Sequence, residues 1–492
     1  MILDGEDKIN KRKMLNFSRP AAGSKRQNII FALMEGLRQF AASNDTIIAP
    51  ATAPGVSAIA VIRLSGKDAI NKCNDVFTKN ILDVKSHTLH FGNIADGERI
   101  IDEVLVSVFK APHSYTAENT IEISCHGSPY IQQEIIKLFL QKGVRMAEPG
   151  EFTLRAFYNG KLDLSQAEAV ADLIHSTSES EHQMAISQIR GGFSNEIKKL
   201  REEIIRFASL IELELDFSEE DVEFADRSDF INLLNKTQAA IQKLIDSFIA
   251  GNVFKNGVPV AIVGKPNVGK STLLNALLNE ERAIVSSIAG TTRDTIEDEI
   301  NIKGIKFRFV DTAGIRETTD EIESIGIEKT FEKIKQASIV LYLLDPSTPQ
   351  QELDSIRKSF TDKSDSNKRR LIFIFNKTDL SIPFIAKGND ILFISAKEKT
   401  GIEKVKDQLI SLVNLGQVKV GDIIVSNSRH YDALTRAQQS LDTVLKGIQN
   451  KLPTDLVAID IRSAMFELGS ITGQVSTDDL LDSIFRNFCV GK

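Results

Sequence analysis

At 492 residues the chain exceeds the ~250–300 residues at which a single hydrophobic core stops growing, so about three domains are predicted. Its 42% hydrophobic and 26% charged residues exclude a disordered or fibrous chain, and a formal charge of −7 argues against a protein that coats nucleic acid through its phosphates, although a local basic patch stays open. No apolar run reaches the ~18–20 residues of a bilayer span, residues 1–33 hold no secretory signal, and Cys73, Cys125 and Cys489 lie too far apart for a zinc or redox pair; a protein of the reducing cytoplasm with no membrane partner is expected.

In chain order, residues 1–43 show no sustained period and read as a weakly ordered extension, with Met14 or Met34 as alternative starts. From Asn44 the texture changes. Segments 57–64, 87–94, 102–109 and 119–125 are β-branched or alternating runs, separated by turn residues, with helical patterns at 67–77 and 129–140. This predicts an α+β domain over residues 44–163. Segments 166–190, 195–215 and 229–249 carry apolar residues at three- and four-residue spacing, which predicts an all-α helical part over 164–255. Strand signals return at 258–263, 307–311, 339–345, 371–376 and 391–395, each followed by a helix or loop, the rhythm of a parallel α/β domain over 256–416. Residues 417–492 are helical again, with Leu434, Leu441 and Ile448 on one face of a segment that also holds Val444 and Leu445, so the α/β domain reads as an insertion into the helical one.

Gly264-Lys265-Pro266-Asn267-Val268-Gly269-Lys270-Ser271 satisfies G-x-x-x-x-G-K-[ST] between a strand and the helical segment starting at Thr272. Chance yields this pattern in roughly 2% of chains of this length, and its context lowers that further. In such a loop backbone N–H groups wrap phosphates, Lys270 reaches the β- and γ-phosphates, and Ser271 takes Mg2+. Asp311-Thr312-Ala313-Gly314 follows the next strand; its carboxylate would reach the magnesium through water and Gly314 would bring a backbone N–H to the γ-phosphate. Asn376-Lys377-Thr378-Asp379 closes a later strand, where Asp379 can accept from the two adjacent donors of guanine, which favours GTP over ATP. Ser395-Ala396-Lys397 after the last strand would add guanine contacts. The loop Ser286-Ser287-Ile288-Ala289-Gly290-Thr291-Thr292 lies where a first switch is expected, with Thr292 as the second Mg2+ hydroxyl or, on the blander reading, part of a polar turn. Ile315 follows the DTAG segment and cannot orient water. Glu323, or a neighbouring carboxylate such as Glu321, is the candidate water-orienting base.

Together these pieces resemble the MnmE (TrmE) family of tRNA-modification GTPases from Asn44 to Lys492. The marks are Asn44-Asp45-Thr46-Ile47, Arg63-Leu64-Ser65-Gly66, Pro149-Gly150-Glu151-Phe152-Thr153 with Arg155-Ala156-Phe157, Gly160-Lys161-Leu162-Asp163-Leu164, and the ending Phe488-Cys489-Val490-Gly491-Lys492. The resemblance implies a multidomain architecture: an N-terminal domain like the tetrahydrofolate-binding fold of aminomethyltransferases, an all-α helical domain, and an inserted α/β P-loop (Ras-like) GTPase domain. It implies a homodimer that works on tRNA with the FAD-dependent partner MnmG, adding an aminomethyl or carboxymethylaminomethyl group at C5 of the wobble uridine with a folate carbon. It assigns Arg63, Glu122, Lys161 and Lys492 to 5-formyltetrahydrofolate, Glu323 to orientation of the attacking water, and Asn267, Ser286, Ile288 and Thr291 to a K+ ion that replaces an arginine finger. It also brings Cys489 to the folate pocket, where the thiol would serve modification rather than GTP hydrolysis, as nucleophile or as shaper of the pocket; simple packing of Phe488 and Cys489 against a helix end is the alternative. A ribosome-assembly or general switch GTPase that binds RNA would need a GXXG loop or basic tail after the α/β domain, where amphipathic helices stand instead. A prenylated membrane anchor is disfavoured by Gly491 and Lys492 after Cys489.

Overall fold

The computed structural model describes residues 45–216, 227–281, 298–310, 337–363, 370–380, 390–413, 423–475 and Gly491. They fall into two compact units, one ending at Lys161 and including Gly491, the other lying within 162–476.

The N-terminal unit is built on a six-stranded sheet in the order β3-β4-β5-β2-β1-β6. Its strands are β1 (Ile47–Pro50), β2 (Ile59–Ser65), β3 (Thr88–Asp96), β4 (Arg99–Phe109), β5 (Thr120–His126) and β6 (Arg145–Met146). Alternation assigns the faces: Val104, Val106 and Val108 of β4 are buried while Glu103 and Leu105 point outward. The buried face takes α2 (Pro129–Gln141), whose Ile135, Leu138 and Phe139 pack against Ile62, Val106, Ile121 and Ile123. Pro129 at the first helical position loses nothing, because its missing N–H would be unpaired there anyway. α1 (Ala69–Asn74) and α3 (Glu151–Tyr158) complete the unit's helices among the described residues. The predicted strands and the helix at 129–140 are present. The short β1 and β6 were not expected, because four and two residues are too few to show alternation.

The second unit holds α4 (Leu164–His175), α5 (Glu179–Ile189), α6 (Gly192–Asp216), α7 (Arg227–Asn256), α11 (Ser428–Gln449) and α12 (Thr454–Thr472), of which α6, α7, α11 and α12 share one apolar core. Leu434 and Leu441 are fully buried in it, and Ile448 packs at its margin, as their common face predicts. The segment expected to be continuous over 166–190 is broken. Ser176 leaves the helix, and Ser178, extended at φ −131, caps the next one by accepting the Glu181 N–H (3.2 Å). Between α7 and α11 lies a sheet ordered β12-β11-β10-β7-β9-β8. It comprises β7 (Val258–Gly264), β8 (Asp298–Ile302), β9 (Ile305–Phe309), β10 (Ile339–Leu344), β11 (Arg370–Phe375) and β12 (Ile391–Phe393), with α8 (Lys270–Glu281), α9 (Gln350–Lys363) and α10 (Ile402–Leu412). All neighbouring strands run parallel except β8, which pairs antiparallel with β9 across a turn in which Lys303 and Gly304 both have positive φ. Val260, Ile262, Phe307, Leu341 and Ile372 meet Leu273 and Leu277 of α8 in its core. The fold is thus an α+β N-terminal domain, an all-α domain and an α/β P-loop domain.

Candidate functional site

β7 leads at its C-terminal end into the loop 265–269 and then α8. A Cβ on Gly264 (φ 151) would stand 2.5 Å from the Leu343 carbonyl oxygen, and one on Gly269 (φ 96) 2.2 Å from Asn376 Nδ2, so both positions require glycine. Lys270 starts α8 and donates from Nζ to the carbonyls of Gly264 (3.0 Å) and Lys265 (2.8 Å), which folds the ammonium back over the loop. Asn267 is in the left-handed region at φ 61. Neither its carboxamide nor the Ser271 hydroxyl has a hydrogen-bond partner among the described residues, so both are available as ligands. Thr272 follows in the first turn of α8.

β11 and β12 bring two further loops to the same edge of the sheet, where ligands bind in open α/β folds. Asn376, 2% exposed, donates from Nδ2 to the Val268 carbonyl (2.8 Å) and accepts at Oδ1 from Ala396 N (2.9 Å). One buried carboxamide therefore ties the loop 265–269 to the segments 376–379 and 395–397. Ser395 Oγ donates to Asp379 Oδ1 at 2.6 Å, and this bond, with the Lys397 and Lys377 cations nearby, pulls the Asp379 carboxyl below its ordinary range. Asp379 is thus an ionised acceptor at neutral pH. Lys377, at φ 67, directs Nζ toward Asp345 Oδ2 at 3.9 Å. The edge offers loop amides and an ammonium at one end and a carboxylate acceptor at the other, complementary to a nucleoside polyphosphate whose base presents adjacent donors.

In the N-terminal unit Arg63 of β2 and Glu122 of β5 are cross-strand partners on the face opposite α2. Arg63 Nε donates to Glu122 Oε1 at 2.8 Å and its Nη2 lies 2.7 Å from the same oxygen. The guanidinium lies over the rings of Tyr115 (5.5 Å) and Phe152 (5.7 Å). Its Nη1 donates to the Gly491 carbonyl (3.2 Å). Gly491 sits at φ 96, with an added Cβ only 2.1 Å from the Pro50 carbonyl oxygen, so its backbone lies against the end of β1 in a way only glycine allows. Lys161 lines a cavity that Tyr115 also borders.

Two family models match the chain: one described as the N-terminus of the GTP-binding protein TrmE, over residues 46–161, and one described as the MnmE helical domain, over residues 164–489. The tRNA modification GTPase MnmE of Flavobacterium psychrophilum is 59% identical over 465 residues, covering 91% of this chain and 99% of that one. Those of Flavobacterium johnsoniae and Cytophaga hutchinsonii are 57% and 54% identical, covering 92% and 91% of this chain and 100% and 98% of theirs. The chain belongs to the MnmE family of tRNA modification GTPases. Among solved structures, the G domain of FeoB from Methanococcus jannaschii aligns with 31% of this chain and 96% of its own at 25% identity and a TM-score of 0.23.

Of the residues singled out in the sequence of this MnmE-family member, the structure brings together 267–272, Asn376, Lys377, Asp379 and Ser395, Ala396 and Lys397 at one sheet edge, and pairs Arg63 with Glu122. Ser286, Ser287, Ile288, Ala289, Gly290, Thr291, Thr292, Asp311, Thr312, Ala313, Gly314, Glu323, Cys489 and Lys492 lie outside the described residues. Sequence reasoning did not foresee Asn376 as the tie between loops, nor Tyr115 and Phe152 as the floor of Arg63. Phe152 lay inside a recognised motif; Tyr115 carried no signal, because only folding brings it to Arg63.

Proposed function

We propose that this chain hydrolyses GTP in the cytoplasm to drive wobble-uridine modification of tRNA. Residues 267–272, 286–292, 311–314, Asn376, Lys377, Asp379 and 395–397 bind the nucleotide. Lys270 neutralises the β- and γ-phosphates, and Glu323 orients the water, a task Ile315 cannot perform. Ser271 and Thr292 would hold Mg2+, and Asn267, Ser286, Ile288 and Thr291 K+; the unengaged Ser271 hydroxyl and Asn267 carboxamide fit that use. When bound, these cations supply positive charge to the phosphate oxygens. A homodimer joined by MnmG in a heterotetramer would then install the aminomethyl or carboxymethylaminomethyl group at C5, with the carbon drawn from 5-formyltetrahydrofolate held by Arg63, Glu122, Lys161 and Lys492.

The observation that carries this reading is family membership across both the N-terminal and the helical regions, beside a loop set whose carboxylate acceptor suits guanine. Nucleoside mass spectrometry of tRNA from a strain lacking the protein is the test. C5-modified wobble uridine should vanish and return on complementation; an unchanged nucleoside profile would overturn the modification role.

A further inference from the structure

In the second unit the β8–β9 hairpin of the α/β domain meets the helices through a buried ion pair. Lys306 of β9 places Nζ 2.6 Å from Glu181 Oε1 of α5, and the two side chains are only 13% and 8% exposed. Glu181 uses its other oxygen on its own helix, where Oε2 accepts from Thr177 N (2.6 Å) and from the Thr177 hydroxyl (3.3 Å) beside the Ser178 cap. One carboxylate therefore supports the start of α5 and clamps β9. The hairpin turn follows the same surface, since a Cβ on Gly304 would stand 3.5 Å from Ser180 Oγ. Lys306 also lies against the joint between α7 and β7, where a Cβ on Gly257 (φ 72) would meet its Cγ and its carbonyl oxygen at 3.1 Å. Beside the pair is a cavity of about 210 Å³ whose lining is polar apart from Met184 and Ala185, and at which Lys255 of α7 pairs with Asp172 of α4 at 2.8 Å. The contact around Lys306 is thus ionic more than apolar. The hairpin's other pair, Lys303 with Asp407 of α10 (2.8 Å), is 68% and 62% exposed and contributes little.

The clamp sits on a strand that runs toward the nucleotide edge. β9 pairs in parallel with β7, Val258 with Phe307 and Val260 with Phe309, and Val310 N donates to the Val260 carbonyl (3.0 Å). The strand that enters the phosphate loop and the strand that precedes Asp311 therefore share one register. Lys306 precedes Asp311 by five residues, about 17 Å of extended chain, and extended chain has little slack. Where Lys306 is held thus sets where β9 ends. We propose that Glu181 is a positioning residue for GTP hydrolysis: acting through Lys306, it fixes β9 beside β7 and so lets the helical domain set the rate of turnover. This rests on the GTPase reading above and adds to it a residue outside the α/β domain. Neutralising one partner strands the other's charge in a buried place, and a displacement of about 1 Å far from the chemistry can cost up to ~100-fold in rate.

The test is steady-state GTP hydrolysis by the full chain carrying Glu181→Gln, Lys306→Met or both, with urea unfolding and amide hydrogen exchange of the nucleotide-free proteins. In Glu181→Gln the carboxamide oxygen still accepts from Thr177 N, so the support of α5 remains and only the clamp is lost. Each single variant should lower kcat about tenfold with KM changed by less than about twofold, the split of an interaction that acts in the transition state, and the β9 amides should exchange faster. The double variant strands no charge, so its urea midpoint should return toward wild type while kcat stays low and β9 exchange stays fast. Recovery of kcat together with the midpoint would overturn the proposal, because the pair would then serve stability alone. Wild-type kcat in the single variants, or wild-type β9 exchange in the double one, would overturn it too and leave the GTPase reading standing. A wild type that does not turn over GTP would overturn that reading itself.

Discussion

Replacing Asn376 by Ala should disconnect the phosphate loop from the guanine side of the site. The substitution removes two hydrogen bonds and leaves the Ala396 N–H and the Val268 carbonyl, on residues 3% and 5% exposed, without their partner. A neutral hydrogen bond is worth ~1 kcal/mol net and an orphaned buried group costs ~1–3 kcal/mol, so about 3 kcal/mol in total is a fair expectation. If the bound nucleotide requires both loops in register, that energy appears as a roughly 100-fold loss of GTP affinity. Asn376→Asp separates the two bonds. It keeps an acceptor for Ala396 N but sets an anionic oxygen against the Val268 carbonyl and beside the phosphates, so it should bind more weakly than the alanine variant at low ionic strength. Titration with a fluorescent GTP analogue, alongside urea unfolding of the same proteins, measures both consequences. GTP affinity within about threefold of wild type and an unchanged unfolding midpoint in Asn376→Ala would refute the tie.

Asp379→Asn should shift preference from guanosine toward xanthosine triphosphate, because an amide can donate to the xanthine carbonyl; undiminished GTP preference in turnover assays would remove Asp379 from the base site. Burial opposes the charge on Glu168, but His430 and Arg429, whose Nε and Nη2 each lie 2.9 Å from its oxygens, overcome it and hold its pKa at about 2 against an ordinary 4.5. Its folded pKa is depressed, so it stabilises the helical core above pH ~4.5 and loses this as pH falls toward 2, while burial holds His430 below its ordinary range, so the His430 share of the pairing fades as that ring loses its proton; Glu168→Gln should flatten urea midpoints across the acid window, and parallel profiles would refute it. Gly491→Ala should unseat the chain end from β1 and speed carboxypeptidase trimming followed by intact mass, with unchanged trimming as the contrary result.

The sheet edge proposed to hold the nucleotide was legible because its chemistry is local. A phosphate loop needs glycines and a lysine at fixed spacing within eight residues, and each remaining motif closes its own strand. What joins the motifs was not legible. Asn376 reaches Val268 across 108 positions and Ala396 across 20, and no spacing rule records a side chain that bridges separate loops. The break in the predicted 166–190 helix is a different failure: the apolar period continues through it, and Ser178 ends it by offering the next helix a cap. The strand β8 was missed because Asp298-Glu299-Ile300-Asn301-Ile302 is rich in residues that disfavour strands. Pairing with β9 overrides that preference by burying Ile300 and Ile302.

The N-terminal motif 149–155 lies between these cases: it was recognisable as a pattern, but its physical reason is spread over the unit. Gly150 supplies a left-handed entry (φ 72) to α3. Glu151 accepts from Glu148 N (2.9 Å), from Arg145 Nη2 (2.7 Å) and from Arg155 Nη2 (2.9 Å). Arg155, 2% exposed, also reaches Asp45 Oδ1 (2.6 Å) and Glu118 Oε2 (3.2 Å). Burial works against this guanidinium, and the Glu118 and Glu151 carboxylates more than offset it, so its pKa is raised and the charge is retained. Removing one partner of such a network leaves an uncompensated buried charge, which costs several times what the network contributes net. Its members therefore must stay together. The same turn of helix places Phe152 beneath Arg63 and Thr153 against Tyr115, so the motif that fixes the charge network also builds the floor under Arg63 and one wall of the adjoining cavity. A motif that serves packing and site at once keeps its residue types for both reasons, and the sequence alone could not separate them.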